Sequence, residues 1–172
     1  MFTSDRSGQL GYPVNFLDQF PSERLARIVV MVNWVALTVP LSDATYFLRR
    51  THELSAKIGP HQPETAIYAR ACIIFAWSAV EAIVLHELRT IRSSGRKRQF
   101  PKSLTGRVQL LMSDRNAAFD VALFERLRNY RNVIAHPQDT PVYTSPPPDW
   151  AQEHFDYCVS ICRVLYSQEL RF

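Results

Sequence analysis

The chain is predicted to fold as an all-α protein, an up-and-down bundle of four to five helices. Three observations carry this. Apolar residues recur at three- and four-residue intervals through most of the chain, and no segment shows a convincing period of two. Glycine is scarce, with 5 in 172 residues, which disfavours tight-turned all-β folds. Between residues 71 and 85 only Ser78 and Glu81 are polar, and a helix with so little polar surface belongs in the middle of others.

Each element has its own start and stop signals. Residues 1–15 are expected to form a flexible N-terminal arm, and residues 16–172 a single helical domain. Pro21, Ser22 and Glu23 open a first helix that Pro40 should stop near Thr38, because proline cannot donate to the helical ladder. Ser42 is a candidate cap for a second helix through Ile58, closed by Gly59 and Pro60. Pro63 suits the first turn of a long central helix, residues 63–92, ended by Ser93, Ser94 and Gly95. Ser103 is placed to cap a short helix carrying Val108, Leu110 and Leu111. Phe119, Leu123, Leu127, Tyr130 and Ile134 mark a further long helix over residues 116–135. It should end near His136, since a residue before proline is pushed out of the α region. A proline-rich loop follows, with 5 of the 11 prolines at residues 137–148. Asp149 is expected to cap a last helix with Trp150, His154, Tyr157, Ile161 and Leu165 on one face. Trp77 and Trp150 read as core anchors.

Composition narrows the function classes. Hydrophobic residues make up 47%, enough for one core. The net charge is +4, yet seven Lys/Arg and no Asp/Glu fall between Arg89 and Arg107, so the basic excess is local. That stretch, with Arg96, Lys97 and Arg98 at its centre, is a candidate for contact with an RNA backbone, although charge runs are usually solvated loops. Cys72, Cys158 and Cys162 form no CxxC pair and sit in apolar helical patterns, as buried thiols in a reducing compartment do. The first eleven residues are polar and do not resemble a signal peptide. The apolar run over residues 28–41 holds Asn33 and falls short of the roughly 20 residues of a membrane span. These features point to a cytoplasmic protein with no membrane partner. His52-Glu53 and His86-Glu87 begin an HExxH pattern, but Ala56 and Thr90 stand where its second histidine is needed. The five histidines show no ligand spacing, and no phosphate loop or nucleophile elbow is present, so neither metal nor cofactor is expected.

One segment concentrates chemistry. Arg128, Asn132 and His136 follow an i, i+4, i+8 stripe, and Arg131 lies beside them. A bland account exists: cations at a helix C-terminus gain about 0.3–1 kcal/mol from the macrodipole. Glu81, with Ser78, interrupts the most apolar helix, however, and a buried carboxylate needs a cationic partner. Glu81 is therefore expected to meet Arg128 or Arg131.

The run from Arg126 to Pro137 (Arg-Leu-Arg-Asn-Tyr-Arg-Asn-Val-Ile-Ala-His-Pro) resembles the signature of HEPN domains. That signature is an arginine, usually followed by a polar residue, then a histidine after four to six positions. Arg131, Asn132 and His136 match it with four. The stretch from Phe75 to Ala82 resembles the family's earlier core helix, and the likeness extends over residues 66–165. The resemblance implies a HEPN-like, metal-independent RNA endonuclease, a toxin or defence effector, acting as a homodimer that joins two motifs across a cleft. It implies catalytic roles for Arg131, Asn132 and His136. An imidazole can take a proton from a ribose 2′-hydroxyl or give one to the leaving oxygen. A guanidinium can stabilise the growing charge on phosphorus, and Asn132 can orient either. One histidine per chain is half an acid–base set, and two chains complete it. Some such proteins pair with an antitoxin that modifies a tyrosine two residues past the motif histidine. Here that position is Gln138, and Tyr143 lies further on. Two other readings are a catalytically inactive HEPN-like module that binds RNA or a protein partner, and a structural dimerisation domain.

Overall fold

A computed structural model describes residues 22–95, 98–136 and 145–166, with side chains from residue 38 onward. The described residues are all-helical, without strands: α1 (Ser22–Ile58), α2 (Pro63–Ser93), α3 (Leu104–Asp114), α4 (Val121–Ala135) and α5 (Pro148–Leu165). The chain divides into two compact units, Met1–Trp34 and Val35–Phe172. The packing described below belongs to the second. The expected arm over residues 1–15 lies outside the described residues.

The second unit is a helical bundle with α2 at its centre. Ala69, Cys72, Ala76 and Ala79 recur on one buried stripe of α2, and small residues there let α5 approach closely. α2 and α5 make the most extensive helix pairing, with Ala151, Cys158 and Cys162 of α5 equally buried. By length and composition α2 could cross a bilayer, with mean hydropathy 1.7 over its most apolar window, but half of that window is buried inside the protein. Trp77 is fully buried and packs edge-on against Phe124 of α4, ring centroids 5.1 Å apart. From α1, Leu41, Ala44 and Leu48 enter the core, and Phe47 stacks on Phe75 at 5.3 Å. Arg115 ties three helices together. Its guanidinium donates to Glu87 Oε2 at 2.5 Å, to the Leu165 carbonyl at 2.7 Å and to the Leu111 carbonyl at 3.4 Å.

Several boundaries fall where the local signals place them. Gln62 caps α2 ahead of Pro63, and the Ser103 side chain accepts from Gly106 N at the start of α3. Gly106 also permits close approach, since a Cβ there would lie 2.7 Å from Pro101 Cβ.

Four expectations are corrected. α1 does not stop at Thr38; it runs through Pro40 without a break. α4 begins at Val121, not near residue 116. Asn116 takes a left-handed conformation, φ 52°, which asparagine tolerates better than most residues. It terminates α3, and Asp120 then caps α4 by accepting from Leu123 N at 2.9 Å. Asp149 lies in the first turn of α5, and the cap is Pro147. Trp150 is 44% exposed and is no core anchor.

Candidate functional site

α4 delivers the residues singled out by sequence. Its apolar stripe, Phe124, Leu127 and Ile134, is buried, which fixes the rotation of the helix about its axis. Arg131 is thereby turned toward α2. Its Nη2 lies 3.0 Å from Glu81 Oε1, and its Nη1 donates to Asn132 Oδ1 at 3.1 Å. Of the two arginines expected opposite Glu81, it is Arg131 that meets it. The Arg131 side chain is 17% exposed and Glu81 42%, so Glu81 is not the buried carboxylate that the apolar run of α2 suggests. A pair this open to water contributes of order 1 kcal/mol or less. Arg131 Nε is buried and has no hydrogen-bond partner among the described residues.

His136 is the C-cap of α4. Its backbone N–H donates to the Asn132 carbonyl at 2.9 Å, and its φ and ψ, −128° and 75°, have left the helix, as a following proline requires. The side chain is exposed. The imidazole makes no hydrogen bond to Arg131 or Asn132 within the chain. The helix end therefore carries a held guanidinium and, five residues on, an imidazole open to solvent.

The other candidates are placed differently. Ser78 Oγ donates to the Ile74 carbonyl one turn back, at 2.9 Å, and does not join the Glu81–Arg131 pair. Arg128 lies 3.3 Å from Glu125, which also accepts from Thr105. Arg98 is paired with Asp114 at 2.6 Å. Arg96 and Lys97, like Gln138 and Tyr143, lie outside the described residues.

A second polar group joins α2 and α5. Trp77 Nε1 donates to His154 Nδ1 at 3.0 Å. His154 is 2% exposed, and burial pushes its pKa down to about 4. The Tyr130 ring tilts over His154 at 5.5 Å, and Trp150 meets Tyr130 edge-on at 4.6 Å. The sequence marks His154 only as one member of an apolar stripe. The signal available was that a histidine interrupts that stripe. The three cysteines are free and buried, and burial pushes the thiols of Cys72 and Cys162 up to about 12 and that of Cys158 well above its usual range. None is a poised nucleophile. Among the described residues no group of His, Cys, Asp and Glu is arranged to hold a metal ion.

No protein-family model, curated protein or solved structure matches this chain.

Proposed function

We propose that the chain is a HEPN-like, metal-independent RNA endonuclease that acts as a homodimer in the cytoplasm, as a toxin or defence effector. The observation that carries this reading is the end of α4: an exposed imidazole at His136, five residues on from a guanidinium at Arg131 held by Glu81 and Asn132. Holding Arg131 in advance removes the cost of ordering it when a phosphate arrives. In the reaction, the ribose 2′-oxygen attacks the adjacent phosphorus, the P–O5′ bond breaks, and a 2′,3′-cyclic phosphate and a free 5′-hydroxyl result. The His136 imidazole of one chain takes the 2′-hydroxyl proton. The same residue of the second chain protonates the leaving 5′-oxygen. Arg131 bears on the charge that builds on the phosphoryl oxygens, and Asn132 sets its orientation.

The test is cleavage of a labelled single-stranded RNA by the purified chain. Cleavage is expected to continue in EDTA, and His136→Ala is expected to lower the rate by at least ~100-fold with an unchanged helical circular-dichroism spectrum. Equal cleavage by His136→Ala, or loss of cleavage in EDTA, ends the reading.

One observation favours a second reading, an inactive module that binds RNA or a protein. Arg131 is largely buried and already paired with Glu81, as a structural arginine is. On that reading no enzyme concentration cuts RNA, and neutralising Arg96, Lys97 and Arg98 together weakens RNA retention.

A further inference from the structure

A cleft of about 340 Å³ opens between α4 and α5, lined by Arg126, Leu127, Tyr130, Trp150, Glu153 and His154. Its floor is a polarised histidine. An indole N–H only donates, so His154 Nδ1, which meets Trp77 Nε1, must be an acceptor. The proton of the neutral ring then resides on Nε2. His154 lines the cleft, and Nε2 is the ring nitrogen that Trp77 leaves unengaged. Among the described residues Nε2 has no hydrogen-bond partner. It is not among the buried side-chain atoms left without a partner, so water reaches it, and an acceptor on a ligand can replace that water.

The walls and rim are equally specific. Trp150 leaves 44% of its surface in water, an area that a stacked ring would cover. At the rim, Arg126 and Glu153 lie 3.4 Å apart with 69% and 49% of their side chains exposed. A pair so screened does little for the fold, and its charges are available to a ligand.

We propose that this cleft takes one purine base of an RNA strand and prefers guanine. The Watson–Crick edge of guanine presents an acceptor, O6, followed by two adjacent donors, N1–H and N2–H. His154 Nε2–H supplies the donor for O6, and the Glu153 carboxylate accepts from the other two. Adenine, uracil and cytosine each offer a single donor group to that carboxylate. Trp150 supplies the stacking surface, and Arg126 stands where a phosphate can be met. The inference rests on the RNA reading for the source of the base; the complementarity of the cleft does not depend on cleavage.

The experiment is isothermal titration of the full chain with guanosine 5′-monophosphate, adenosine 5′-monophosphate and ribose 5-phosphate. Guanosine monophosphate is expected to bind at least tenfold more tightly than adenosine monophosphate, and ribose 5-phosphate not to saturate. Trp150→Ala should weaken guanosine monophosphate at least tenfold. Glu153→Gln, an exposed and fold-neutral change, should bring the two nucleotides to within about threefold of each other. Equal binding of all three compounds, or guanosine monophosphate affinity unmoved by both variants, overturns the proposal. RNA cleavage without guanosine monophosphate binding overturns this inference alone. Guanosine monophosphate binding without any cleavage overturns the nuclease reading alone.

Discussion

An indole nitrogen has a proton to give and no lone pair to receive with, so Trp77 dictates the state of the imidazole beside it. Charging His154 would put a proton on the nitrogen that Trp77 already addresses. Burial pushes the pKa of the ring down to about 4, and the Trp77 contact favours the same neutral form. In the unfolded chain an ordinary histidine binds its proton near pH 6.5. Between those values the unfolded state holds one more proton, so acid favours unfolding. The stability contributed is complete above pH 6.5 and is lost as the pH falls toward 4. Urea unfolding of wild type and His154→Gln at pH 7 and 4.5 should show the wild type losing about 2–3 kcal/mol more than the variant. Equal losses would mean that the ring is charged in the folded state. Sequence could not show this arrangement: the helical period puts His154 on the inner face, but its partner lies 77 positions away. The Glu81–Arg131 pair was more legible, because a carboxylate in an otherwise apolar helix must find a cation and α4 supplies two candidates. Its half-exposed position was not legible, since periodicity does not reveal where the neighbouring helices stop covering α2.

Helix limits set by local chemistry are readable in the chain, and those set by packing are not. Pro63, Ser103 and the proline after His136 act within one turn, and α2, α3 and the end of α4 lie where they direct. Pro40 gives the opposite lesson. Its ring removes one backbone donor and crowds the carbonyl of the preceding turn, which can cost about 3 kcal/mol. α1 nevertheless continues, because Leu41, Ala44 and Leu48 just beyond it are all buried against the core. Tertiary contact outweighs the local penalty. Replacing Pro40 with Ala should then restore a helical hydrogen bond and stabilise the protein by about 1–3 kcal/mol, less whatever proline contributes by stiffening the unfolded chain. A fall in the denaturation midpoint would show that α1 needs its proline. The start of α4 was misplaced for a related reason: Phe119 continues the apolar period, but Asn116 turns left-handed and breaks the backbone that the period implies.

At the scale of the molecule, the proposed chemistry needs two imidazoles and each chain places one at the tip of α4. Specific nuclease activity per chain should therefore fall on dilution, in step with dissociation followed by analytical ultracentrifugation. Activity that is constant per chain down to fully monomeric concentrations would exclude a composite site. The interior carries a consequence of a different kind. Cys72 on α2 and Cys158 and Cys162 on α5 line the seam between the two most intimately packed helices, and none has accessible thiolate while that seam is closed. Iodoacetamide should leave the native chain unlabelled and mark all three positions once urea parts the helices. The chain thus carries its own stopwatch. Counting alkyl groups by mass against time would clock how often the bundle breathes open, with no dye attached and no residue changed.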